Sequence, residues 1–144
     1  MFEFILHLGS SGQDIMSIVS RRFKIYENAP ICRQHDIFGW ADSRKKSFTI
    51  CTNKIKERRP YDYADYIRET VFHEATHVAQ ACKSKNETMV PLGVPNIILG
   101  QRQKESLDGT IRIAGRIVYN IEREAHYLES RPEEVSHYLK KYCL

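Results

Sequence analysis

The chain has 144 residues, is 42% hydrophobic and 28% charged, and carries 22 Lys and Arg against 18 Asp and Glu, a formal net charge of +4. That length buries one sizeable core and leaves no room for two cores and a linker, so a single domain over residues 1–144 is expected. Eight Tyr, six Phe and many Ile and Val exclude a disordered chain, and no stretch approaches the roughly 18 apolar residues of a membrane span.

Met1 to Leu8 is apolar but interrupted by Glu3 and His7, with no basic n-region before it, so it does not read as a signal peptide. Phe2, Phe4, Leu6 and Leu8 alternate with Glu3, Ile5 and His7, which suggests a short strand, with a helical start left open over so few residues, broken by Gly9-Ser10-Ser11-Gly12. Asp14 to Arg22 carries Ile15, Ile18 and Val19 at helical spacing. Phe23 to Tyr26 alternates and stops at Glu27-Asn28-Ala29-Pro30, a second strand. Ile37 to Ala41 and Ser47 to Thr52 are β-favouring runs separated by polar Asp42 to Lys46, the pattern of a hairpin. Tyr63 to about Lys83 has no Gly or Pro and repeats apolar residues at helical intervals, which predicts the central helix.

Ser84 to Leu107 holds Pro91, Gly93, Pro95 and Gly100 and reads as an extended or partly helical loop. Asp108 to about Glu129 reads as one long helix. Pro132, Glu133 and Glu134 then sit where a first turn favours proline and acids, opening a last helix over Val135 to Cys143.

Cys32, Cys51, Cys82 and Cys143 have no short paired spacing, which excludes a zinc ribbon or a thioredoxin-type pair. They read as unpaired core thiols in a reduced, cytoplasmic setting, with a Cys82–Cys143 bridge left open. The densest cations, Arg44-Lys45-Lys46 and Lys54 to Arg59, fall in expected loops and read as solvated charge; nucleic-acid docking through them is the lesser reading.

Within the central helix stands His73-Glu74-Ala75-Thr76-His77, the pattern H-E-x-x-H. Residues i and i+4 lie one above the other, so both imidazoles can hold one zinc ion, while the adjacent Glu reaches a metal-bound water without being a ligand. The core stripe of the same helix, Ile67, Val71, Ala75, Val78 and Cys82, faces the other way, so the histidines face a cleft.

A catalytic zinc needs a third protein ligand. Gln80 and Lys83 stand where a metzincin would have its Gly and third His, so a later helix must supply it; the candidates are Glu122, Glu124, His126 and Glu129. On a continuous helix Ile113, Ile117 and Leu128 fall within about 40° of Glu124, and Ile121 within about 60°, which puts this carboxylate on the inward face. A carboxylate there needs a cation or donor to offset its burial. Glu124 is therefore the preferred ligand; Glu122, His126 and Glu129 cluster on the other side, where Glu122 and His126 look like a solvated pair.

H-E-A-T-H on one helix followed by Glu124-Ala125 on a second resembles the gluzincin branch of zinc metallopeptidases, whose third ligand is a Glu commonly followed by Ala. Phe38-Gly39-Trp40-Ala41-Asp42 and Phe48-Thr49-Ile50-Cys51 resemble the strand pair before the active-site helix of small zincins, whose edge strand lines the cleft and can pair with an extended peptide. The resemblance covers residues 23 to 129. It implies an α+β fold with a small, twisted, mostly antiparallel sheet packed on the active-site helix and on a second metal-ligand helix. It implies one Zn2+ held by His73, His77 and Glu124, with Glu74 as general base in the hydrolysis of a peptide or protein substrate.

The acid that many gluzincins carry four residues after the ligand Glu is Leu128 here, with Glu129 one residue late, so no partner for a histidine's second nitrogen is assigned. Tyr119 and Tyr127 are the tyrosines considered for stabilising an oxyanion. The rival reading is a zincin-shaped module that holds zinc and a peptide or protein partner without turnover, for which Glu74 has no chemical use.

Overall fold

The computed structural model describes residues 2–85 and 87–144. Met1, at the start of the apolar N-terminal run, and Asn86, in the expected loop, lie outside them. The fold is a mixed α+β arrangement with α1 (Gly9–Arg22), β1 (Lys24–Glu27), α2 (Ile31–Gln34), β2 (Gly39–Asp42), β3 (Ser47–Ile50), α3 (Thr52–Arg58), α4 (Tyr63–Ser84), α5 (Gln101–Ala114), α6 (Tyr119–Leu128) and α7 (Pro132–Cys143).

The central helix α4 organises the rest. Ile67, Val71, Ala75 and Val78 are fully buried, as the helical periodicity predicts, and they join Ile15, Val19, Phe48, Ile50, Leu128 and Leu139 in the core. Helices α1 and α7 pack on α4, as do α6 and the edge strand β2. No helix among the described residues is long and apolar enough to cross a membrane.

The sheet has three strands in the order β1-β3-β2. β2 and β3 form the expected antiparallel hairpin, with Trp40 opposite Thr49 and Ala41 opposite Phe48. β1 runs parallel to β3, with Ile25 opposite Phe48, so the sheet is half parallel and not mostly antiparallel. β2 keeps one edge unpaired within the sheet.

Four expectations are corrected. The N-terminal strand is instead a 3-10 turn over Glu3–His7, because both oxygens of Glu27 accept the backbone N–H groups of Glu3 and Phe4, each at 3.1 Å, while Phe4 is fully buried. The serine-rich break is the first turn of α1, entered through Gly9 at φ +70.

The long helix from Asp108 is two helices. α5 begins inside the expected loop and ends at Gly115, which adopts φ +84; a 3-10 turn over Arg116–Val118 then leads into α6. A positive φ is open to glycine and costly for other residues, so Gly115 ends the helix that the apolar spacing extends through it. Ile113 and Ile117, whose phase placed Glu124 inward, are each 91% exposed.

All four cysteines are paired, Cys32 with Cys51 and Cys82 with Cys143, and none is a free thiol. The reduced setting loses the unpaired thiols on which it rested. In the chain-entropy account, closing loops of 19 and 61 residues stabilises the fold by about 3 and about 4 kcal/mol. The second bridge ties the end of α4, just beyond its histidines, to the end of α7.

Candidate metal centre

One turn of α4 separates His73 from His77, and their rings meet edge to face with centroids 5.0 Å apart. The carboxylate of Glu122, from α6, lies across both: Oε2 is 3.1 Å from His73 Nε2, and Oε1 is 3.1 Å from His77 Nε2. Glu74 stands beside them at 8% exposure, and the donor atoms of His73, Glu74 and His77 lie within 4.8 Å of one another.

The other ring nitrogens are also engaged by acceptors. His73 Nδ1 lies 3.0 Å from Glu129 Oε1, and His77 Nδ1 lies 2.7 Å from Gln80 Oε1. Gln80 is held in that orientation because its Nε2 donates to Ile121 O and to Glu124 Oε1, both at 3.0 Å. Since carboxylate and amide oxygens only accept, both Nδ1 atoms carry hydrogen and both Nε2 atoms turn towards Glu122.

Two neutral imidazoles would thus present lone pairs to a carboxylate, an arrangement that needs positive charge between them. Protonation is one source. Burial lowers the affinity of His73 for its proton, but Glu122 and Glu129 outweigh it and hold the pKa well above the usual histidine range. At His77 burial is likewise outweighed by Glu122. Burial pushes Glu122 up, yet the two imidazoles hold it far below the usual carboxylate range.

A divalent cation is the other source: His73 and His77 belong to one cluster able to hold such an ion, and Glu122 meets the two imidazoles through separate oxygens. Two imidazole nitrogens and a carboxylate are the ligand types of catalytic zinc, and ligand atoms about 2.1 Å from a tetrahedral ion sit about 3.4 Å apart. The N–O separations of 3.1 Å are within a few tenths of that. Glu74 is pushed above the ordinary carboxylate range by burial, against the pull of His73 and His77, as suits a group that takes and returns a proton.

Glu124 does not join this cluster. Its oxygens accept the backbone N–H groups of Leu92 at 2.7 Å, Gly93 at 2.8 Å and Val94 at 3.1 Å, together with the Gln80 amide. Gly93 has φ +85, which lets successive N–H groups converge on one anion. Burial of this carboxylate is therefore offset by four N–H donors, and its structural effect is to pin the loop after α4 onto α6. The expected placement of Glu124 against His73 and His77 is corrected to Glu122.

Glu129, two helical turns after Glu122, fills the partner position that the sequence left unassigned; burial pushes its pKa up, and His126 and His73 together bring it down. His126 Nδ1 lies 3.0 Å from the same Oε1 of Glu129, and its ring lies 4.6 Å from that of His73. Its Nε2 is buried with no hydrogen-bond partner. Tyr127 packs under Arg131 instead, and Tyr119 lines a separate hollow beside Ile97 and Arg123.

Of these groups His73, Glu74, His126 and Glu129 line a cleft of about 370 Å³, together with Phe38 and Gly39 at the start of β2, Tyr66 and Thr70 of α4, and Arg102 of α5. Gly39 is required there: a Cβ would lie 2.7 Å from Thr70 Cγ2 and 3.1 Å from Glu74 Cγ. A larger cavity of about 650 Å³ at the ends of α1, α4 and α7 is lined by Arg21, Arg22, Lys46 and Lys85 and contains no histidine. Of the second basic group, Lys56, Arg58 and Arg59 pair with Glu3, Asp36 and Asp62.

A family model described as a domain of unknown function, DUF8637, matches residues 4–144. No curated protein and no solved structure matches the chain.

Proposed function

The chain belongs to the DUF8637 family, and we propose that it is a zinc-dependent metallopeptidase of the gluzincin kind whose metal is held by His73, His77 and Glu122. The observation that carries this reading is the convergence of both Nε2 atoms on one Glu122 carboxylate while Glu129 and Gln80 hold the opposite ring nitrogens.

A bound zinc ion supplies Lewis-acid polarisation of the scissile carbonyl and of a water. Glu74 accepts a proton from that water as its oxygen adds to the carbonyl carbon. It then delivers the proton to the amide nitrogen as the C–N bond breaks, giving a carboxylate and an amine. Glu122 supplies a negative ligand, while Glu129 and Gln80 fix the ring orientations. The free edge of β2 beside Gly39 offers main-chain groups to an extended peptide. The two disulfides favour an oxidising compartment over the cytoplasm.

The test is elemental analysis of wild-type and His77→Ala protein, with cleavage of a random peptide library as the second readout. The reading expects one zinc per wild-type chain, none in the variant, and cleavage only by the former. Wild-type protein that binds no zinc contradicts it.

A further inference from the structure

Among the described residues, His126 is the member of the cluster with a buried nitrogen that nothing engages. Its side chain is 11% exposed, its Nδ1 is committed to Glu129, and its Nε2 has no partner, yet it lines the same cleft as His73 and Glu74. A buried polar atom without a partner is costly in a folded protein, and such atoms gather where a ligand completes the bond. His126 stands beside the His73 ring and lines the cleft that Phe38 and Gly39 also line.

The Glu129 oxygen can only accept, so His126 Nδ1 donates to it and Nε2 is left as the ring's uncommitted nitrogen. An extended peptide that pairs with β2 through one edge and lies in this cleft keeps its other main-chain groups free for the remaining lining side chains, His126 among them. We propose that His126 Nε2 accepts the N–H of the scissile amide, making His126 a further catalytic residue. Holding that N–H on the α6 side turns the nitrogen lone pair, as it develops with loss of amide resonance, towards the proton held by Glu74. The assignment rests on the hydrolytic reading above and adds a substrate contact to it.

The experiment compares wild-type, His126→Ala and His126→Gln protein on a peptide cleaved by the wild type and on its depsipeptide analogue, in which an ester oxygen replaces the scissile N–H. His126→Ala is expected to keep one zinc and to stay folded, with a melting temperature lowered by a few degrees for the buried side chain and the Glu129 bond it loses. It should lose about tenfold in kcat/KM on the peptide, the scale of one neutral hydrogen bond, and nothing on the ester. His126→Gln, whose amide oxygen also accepts, should recover part of the loss.

A second readout needs no turnover. In zinc-loaded Glu74→Gln protein with 15N-labelled imidazoles, the His126 Nε2 resonance should shift on adding the peptide and stay in place with the ester. Equal losses on peptide and ester, or zinc lost from His126→Ala, overturn the assignment and leave the hydrolytic reading standing. Wild-type protein that binds zinc and cleaves no peptide overturns both.

Discussion

The Nδ1–H of His73 points at Oε1 of Glu129 across 3.0 Å, joining the first histidine of α4 to a carboxylate just past the end of α6, two turns beyond Glu122. A carboxylate in that position fixes the tautomer, aims Nε2 and raises the basicity of the ring. Glu129→Ala should weaken zinc binding by roughly 10- to 100-fold without unfolding the protein. Competition against a chelator of known affinity measures it, and unchanged affinity would remove Glu129 from the metal site.

The two acids of α6 that face different partners should separate cleanly. Glu124→Gln weakens the anchor for the N–H groups of Leu92, Gly93 and Val94 and should cost about 1–3 kcal/mol, with faster hydrogen exchange at those amides and zinc retained. Glu122→Ala should lose zinc while those amides stay protected. Urea unfolding, amide exchange and metal content of both variants make the comparison; the opposite pattern would return the ligand role to Glu124.

Gly39→Ala places a methyl group against Thr70 and Glu74. Overpacking of this kind costs about 1–3 kcal/mol and displaces Glu74, the proposed proton carrier, while sparing the proposed ligands. The expected result is a lower kcat with one zinc still bound, read from steady-state kinetics beside elemental analysis.

Metal and pH should be coupled. A histidine whose pKa is raised on folding stabilises the fold below its unfolded value near 6.5 and loses that contribution as pH climbs through the folded value; His73 and His77 are of this kind. Glu122, held low, contributes above its unfolded value near 4.5 and loses that contribution as pH falls through its folded value. Metal-free protein should therefore lose stability on the alkaline side of the histidine range, and zinc, which binds neutral imidazole, should remove that loss. Urea midpoints across pH, with chelator and with zinc, test this; identical alkaline limbs would contradict it.

The central helix was legible because an uninterrupted run from Tyr63 repeats its apolar residues at helical spacing, and H-E-x-x-H sits off that stripe. The carboxylate that meets both histidines was not, because Ile113 and Ile117 were placed on one helix with Glu124. Gly115 breaks that helix, so their angles carry no information about α6. Glu122 and Glu129, seven residues apart, share a face, which was the available signal.

The inward carboxylate did need compensation, as burial demands, but residue spacing does not say whether a cation or backbone N–H groups supply it. For Glu124 the donors came from a loop some thirty positions earlier in the chain. The two cysteine pairs, 19 and 61 residues apart, were beyond any short-range motif for the same reason, as was the parallel pairing of β1 with β3.

The most direct measurement is zinc content and peptide cleavage of Glu74→Gln protein beside the wild type, using a peptide found in the library screen. A residue that carries the proton but does not bind the metal predicts one zinc per chain in both proteins and cleavage abolished in the variant. Cleavage at the wild-type rate by zinc-loaded Glu74→Gln would contradict the account.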